Sequence, residues 1–188
     1  LNGNGVVDSF GGDFAYTESD PADADDPAVC EPTSDTDGDG IPDSSERVYG
    51  TDPMDVDSDD DGVQDGQEPD WNSDSDRDRL INALDPDSDN DGLSDGTELG
   101  YNDDNVVFDG DVSLPAEVLA TSTSSPYYHP DGDAGDSTTN PLKWDTDHGR
   151  VSDGVEDSDL DGVQDDGERD PNNRLDDLTK IPRDADQD

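Results

Sequence analysis

Aspartate recurs in this chain on a fixed frame, and that spacing limits the possible folds more than any other feature. The segment from Asp35 to Glu46 reads D-x-D-x-D-G-x-x-D-x-x-E, with Asp35, Asp37, Asp39, Gly40, Ile41, Asp43 and Glu46 at positions 1, 3, 5, 6, 7, 9 and 12. We name it loop A. Loop B repeats the frame with Asp57, Asp59, Asp61, Gly62, Val63, Asp65 and Glu68. Loop D repeats it with Asp87, Asp89, Asp91, Gly92, Leu93, Asp95 and Glu98, and loop F with Asp157, Asp159, Asp161, Gly162, Val163, Asp165 and Glu168. An acidic tail carries blocks of like charge without such register.

Composition says what the frame is for. The 188 residues include 55 acids and only 9 basic residues, a formal net charge of -46, with 26% hydrophobic residues. A bare chain of this kind cannot bury enough apolar surface to offset the entropy of ordering it. It is either an acidic disordered tail or a chain ordered by bound cations. The fixed register favours cations, and each position has a reason. Calcium takes about 6–8 oxygen ligands. Alternating aspartates at positions 1, 3 and 5 aim carboxylates at one centre, and glycine at position 6 takes the sharp turn. Position 7 (Ile41, Val63, Leu93, Val163) offers its carbonyl and leaves an aliphatic side chain for a thin apolar seam. Position 9 binds directly or through water, and the position 12 glutamate closes the shell.

Two further loops are degenerate. Loop C has Asp74, Asp76, Asp78, Leu80, Asn82 and Asp85, with Arg79 in place of the turn glycine. Loop E has Asp145, Asp147, Val151, Asp153 and Glu156, with Gly149 and Arg150 at positions 5 and 6. Loop E has lost a carboxylate, so it binds more weakly, borrows a ligand from a neighbouring loop, or, like loop C, is a vestigial turn with no ion.

The flanking helices of an EF-hand do not fit. Gly50 and Pro53 interrupt the link from loop A to loop B, Pro69 follows Glu68 at once, and loops E and F abut. Short helices are expected from Ser44 to Tyr49, with Ser44 as cap and Gly50 as stop, and from Leu80 to Leu84, ended by Asp85-Pro86. The loops must then pack on one another with ions as the core.

The four full loops, the two degenerate ones and the Asn82-Ala83-Leu84-Asp85-Pro86-Asp87 junction resemble the thrombospondin type-3 repeat family, particularly its bacterial calcium-binding members. The stretch Thr139–Asp147 followed by Val151–Gly154 is similar to a recurrent segment of large bacterial surface proteins carrying such repeats. The resemblance implies a chain wrapped around a line of calcium ions. It also implies several bound Ca2+ and a bacterial surface setting. The lone Cys30 departs from the disulfide-rich eukaryotic members. It is a free or semi-buried thiol, or pairs outside this chain.

The resulting expectation is a mostly irregular, coil-rich, calcium-cored repeat structure with one-turn helices, a few short β-strands and little hydrophobic core. Its segments are 1–34 (a partial loop and acidic linker), 35–98 (the first loops), 99–144 (an insert), 145–168 (a second loop pair) and 169–188 (a linker and the start of a further repeat). In the insert, Asn105–Val112 and Leu114–Ala120 read as short strands. Thr121–Pro126 is a plain loop or an O-glycosylated patch. Asp131, Asp133 and Asp136 are a candidate for one more ion.

The ends add a partial frame. Asn2, Asn4, Val6 and Asp8 fit positions 3, 5, 7 and 9, and Asp188 followed by Leu1 would supply position 1. Three readings stand here: one period of a tandem array, a subunit whose ends meet those of its neighbours, or a fragment of a longer repeat protein. The chain opens on Leu1 rather than Met and shows no signal peptide, which reads as a mature product or a fragment.

The charge excludes nucleic-acid partners and anionic membranes. No apolar run is long enough to span a bilayer. His129, His148 and Cys30 make no catalytic or zinc constellation, and the acid clusters are already assigned, so no enzyme is expected. The leading function is an extracellular or cell-surface structural segment, a calcium-stiffened stalk or fibre. Its partners are copies of itself or the continuation of a longer repeat chain. A calcium-dependent adhesin module with a protein or glycan ligand is the second class. Trp71, Trp144, Tyr127 and Tyr128 then serve as sugar platforms rather than as covers for apolar positions. A calcium buffer is the third.

Overall fold

In the computed structural model, residues 34–177 are described, and they fall within one compact unit. The expected features at Asn2, Asn4, Val6, Asp8, Cys30 and Asp188 lie outside them. Secondary structure is sparse, as a chain this poor in apolar residues requires. Helix α1 spans Asp43–Tyr49, α2 spans Asp95–Glu98 and α3 spans Asp153–Glu156; 3-10 turns occupy Asp65–Gln67 and Asn82–Leu84. Each begins at position 9 of a loop. A single helical turn sets positions 9 and 12 on one side, as residues three apart on a helix are neighbours. Loop F has no such turn.

The expected helices form with shifted ends. Helix α1 starts at Asp43, and its N-cap is Pro42, with no side-chain cap, rather than Ser44. Gly50 ends it in the left-handed conformation, donating its N–H to the Glu46 carbonyl. The Leu80–Leu84 expectation shrinks to the Asn82–Leu84 turn, because Leu80 and Ile81 serve as positions 7 and 8 of loop C.

The two expected strands of the insert do not form. Isolated parallel bridges join Asp55 with Leu119 and Phe108 with Thr121. The insert pairs with itself at the Phe108–Thr121 bridge and otherwise wraps onto the start of loop B. Val56 N–H donates to the Leu119 carbonyl at 3.1 Å, and Leu119 N–H donates to Met54 at 2.7 Å. The same contact makes a small apolar cluster of Val56, Val118 and Ala120, with Val107 and Leu114 against it. The Thr121 hydroxyl reaches an Asp57 carboxylate oxygen, and Ser122 N–H donates to Asp60 at 2.6 Å. Position 7 supplies most of the rest of the thin core: Ile41, Val63 and Leu93 are buried, and Ala83 joins them, whereas Leu80 of loop C is exposed.

Candidate metal centres

All six loops share one backbone path. Position 4 takes a positive φ in each: Gly38, Asp60, Arg77, Asn90, His148 and Leu160 lie between 61° and 86°. Position 6 does likewise, from 79° at Gly162 to 108° at Gly92. Arg79 and Arg150 adopt this conformation too, at 97° and 85°. The degenerate loops therefore keep the turn despite losing its glycine, at a cost of roughly 1–2 kcal/mol each for a side chain in the left-handed region.

Hydrogen bonds within each loop orient the carboxylates. Position 1 accepts from the backbone ahead of it: Asp57 from Asp60 and Gly62, and Asp157 from Leu160 and Gly162. Position 5 accepts from the N–H of position 7, at 2.6 Å for Ile41 on Asp39 and 2.8 Å for Val63 on Asp61. Position 2 is Ser or Thr in every loop, and in loops A to E position 9 accepts from it. Thr36 gives its N–H and hydroxyl to Asp43 at 2.8 and 2.9 Å, and Ser58 gives both to Asp65 at 2.7 and 2.6 Å. Ser88 and Thr146 hold Asp95 and Asp153 through their N–H groups. This small hydroxyl residue is a recurrent part of the frame that the carboxylate spacing alone did not point to.

The oxygens left over point at shared centres. Among the described residues, buried carboxylate oxygens without a hydrogen-bond partner fall on position 3 (Asp37, Asp59, Asp89, Asp147) and position 12 (Glu46, Glu68, Glu98, Glu156). Asp39 and Asp95 add one each from positions 5 and 9, and Asp177, outside the frames, adds both of its own. A donor-free carboxylate in a protein interior is costly unless a cation meets it. Such sets are close enough to hold one. Asp35, Asp37 and Asp39 bring oxygens within 4.8 Å of one another, as do Asp57, Asp59 and Asp61; Asp74, Asp76 and Asp78 of loop C do so too, but at the surface.

A second kind of centre lies between loops. Asp39 and Glu46 of loop A meet Asp65 of loop B, and Asp61 and Glu68 of loop B meet Asp95 of loop D, each with oxygens within 4.8 Å. All six of these side chains are buried. Glycine at position 10 makes the approach possible. Gly96 donates its N–H to Asp61 at 2.9 Å, and Gly154 donates to Asp91 at 2.8 Å. A Cβ on Gly66, Gly96 or Gly154 would lie 2.3, 2.3 or 2.6 Å from the carbonyl oxygen of Asp39, Asp61 or Asp91. The stack therefore runs A, B, D, E and omits loop C. Loop F is approached by the insert: Gly132 donates to the Asp161 carbonyl at 2.8 Å.

Burial and crowding act on the acids as this geometry demands. Burial, then the charges of Asp37, Asp39 and Asp65, push Glu46 up to about 8. Burial, then Asp91, Asp87 and Asp95, push Asp89 up to about 8. Asp61, Glu68 and Glu98 are raised well above the carboxylate range, chiefly by burial. Two unit charges about 5 Å apart repel by roughly 3 kcal/mol at an effective dielectric of about 20. Three such pairs per inter-loop centre approach the whole stability of a typical domain.

Several of the expected ligands stand elsewhere. Asn82 accepts from Ser75 N–H with its one oxygen, and its amide nitrogen is turned to the Pro69 carbonyl at 2.8 Å, so position 9 of loop C brings no carboxylate. Loop C lies exposed, with Asn90 touching Asp76 and only Asp85 of its acids buried. In loop F, Ser158 bonds Glu168 rather than Asp165, at 2.9 and 2.7 Å, because no helical turn brings position 9 into place. Asp159 and Asp165 are exposed. In the insert, Asp131 accepts from Asp133 and Gly135, Asp133 is bound by Ser137, and Asp136 is exposed. Trp71 packs edge-on against Tyr49 at 4.9 Å and Tyr128 against Phe108 at 5.3 Å. His129 and His148 contact the carbonyls of Pro126 and Asp145.

These features define a class: a coil-rich repeat protein whose acidic clusters can hold metal ions within and between loops. The family model of the bacterial TSP3 repeat matches residues 35–56 and 87–103, which contain loops A and D, so the resemblance read from the sequence is shown at those two stretches. It is a non-catalytic, calcium-binding repeat family of extracellular type. No curated protein matches the chain. Among the described residues, no helix is long and apolar enough to cross a membrane.

Proposed function

We propose that this chain is a segment of an extracellular or cell-surface structural protein, a calcium-stiffened stalk or fibre piece of bacterial type. The observation behind this reading is the inter-loop ligand set. Asp39, Glu46 and Asp65 come from two loops, as do Asp61, Glu68 and Asp95. An ion bound there ties one loop to the next, which a set of independent buffering loops would not do. Millimolar external calcium suits such all-oxygen sites. The partners this reading expects are copies of the chain itself or other repeats of the same kind.

The deciding experiment is a calcium titration of the EDTA-stripped protein followed by circular dichroism and small-angle scattering. The expected result is cooperative compaction to a stiff particle near millimolar calcium. A chain that binds calcium but stays expanded would overturn the reading in favour of a buffer. Tyr127 and Trp144, 52% and 49% exposed, carry the second reading, a glycan-binding module. Saturable sugar binding that is lost in Trp144→Ala would establish it.

A further inference from the structure

Loop E lacks the position 5 carboxylate, yet its position 5 is not empty space. A Cβ on Gly149 would lie 1.4 Å from Asp177 Oδ2 and 2.6 Å from Asp177 Cγ. The φ of Gly149 is not among the positive values, so its backbone does not demand glycine. What demands glycine is the incoming carboxylate. The Asp177 side chain is fully buried, and Arg169 Nε lies 3.8 Å from its Oδ1. Beside it, Glu156 is 1% exposed, and neither of its carboxylate oxygens has a hydrogen-bond donor among the described residues. Asp147 Oδ2 is likewise buried and unpartnered. Asp145, by contrast, is engaged by the N–H groups of Gly149 and Arg150, at 3.1 and 2.8 Å.

We propose that Asp177 supplies the missing ligand of loop E and completes a divalent-cation site with Asp147 and Glu156. Three carboxylates and one guanidinium leave a charge of minus two, which one divalent ion balances. The site pins the segment after loop F back onto loop E, so the ion ties together stretches that no short-range frame connects. This rests on the reading that the loops bind calcium.

Native mass spectrometry at saturating calcium tests it by counting ions per chain. Asp177→Ala is expected to hold one ion fewer than the wild type. Adding Gly149→Asp to that variant restores the count, because the loop regains its own carboxylate. Gly149→Asp alone keeps the count but displaces Asp177, so calcium no longer slows tryptic cleavage after Arg174. A full count in Asp177→Ala overturns the proposal and leaves Asp177 as the partner of Arg169 alone. No calcium bound to the wild type would overturn the calcium reading itself, a result distinct from that one.

Discussion

The Cβ that Gly66, Gly96 and Gly154 lack would collide with the carbonyl of the loop they dock on, at 2.3 to 2.6 Å. Backbone cannot retreat as a flexible side chain can. Gly96→Ala is therefore expected to destabilise the calcium-loaded protein by about 1–3 kcal/mol, the usual range for overpacking. Thermal unfolding in calcium measures it, and an unchanged midpoint would refute the docking role. The arginines at position 6 make the opposite case. Arg79 and Arg150 sit at φ of 97° and 85°. Replacing either with glycine relieves the strained conformation, partly offset by glycine's larger entropy loss. A gain of up to about 1 kcal/mol is expected in the same assay.

At the scale of the loop, position 2 and the turn at positions 9 to 12 act together. The Ser58 hydroxyl donates to Asp65 Oδ2 at 2.6 Å, and Asp65 begins the 3-10 turn that carries Glu68. One side-chain hydroxyl thus sets the direction of a carboxylate used by the junction with loop A. Ser58→Ala is expected to cost about 1 kcal/mol, typical of one hydrogen bond, and to weaken calcium binding at that junction. Calorimetric titration reads the change, and unaltered binding would make the hydroxyl incidental. Loop F shows what happens without the turn: Ser158 binds Glu168 and Asp165 is left exposed. Loop F, though a full match to the frame, is thus arranged differently from loops A, B and D. The carboxylate spacing does not say whether the helical turn forms.

For the molecule as a whole, the raised acids set the pH response. Glu46 moves from 4.5 to about 8 and Asp89 from 3.8 to about 8, in each case chiefly by burial and then by neighbouring charges. A folded-state value above the unfolded one means that folding favours the protonated form. Without metal, that stabilisation is complete below about pH 4 and is lost as pH rises through about 8. The EDTA-treated chain is therefore expected to be more compact at pH 4 than at pH 8, by small-angle scattering. Calcium reverses the order, because it binds the ionised form and competes with protons. Its apparent affinity falls as pH drops from 8 to 5. A metal-free chain equally expanded at both pH values would contradict the buried-acid geometry.

The sequence by itself determined the loops. Positions 1, 5 and 7 interact over a few residues, so the fixed spacing was enough to specify the backbone path that all six loops share, whereas the bond from position 2 to position 9 also needs the helical turn that loop F lacks. The poverty of apolar residues likewise dictated an architecture without layers. Tertiary structure alone decided which loops stack, where the insert folds and what completes loop E. Val118 and Ala120 pack on Val56, just ahead of loop B, rather than forming strands. The order A, B, D, E follows from a steric allowance at position 10. Its trace in the sequence is the Asp-Gly pair at 65–66, 95–96 and 153–154, where loop C has Asn82-Ala83. The carboxylate of Asp177 leaves no such trace, because it reaches loop E through the fold and not through any local repeat.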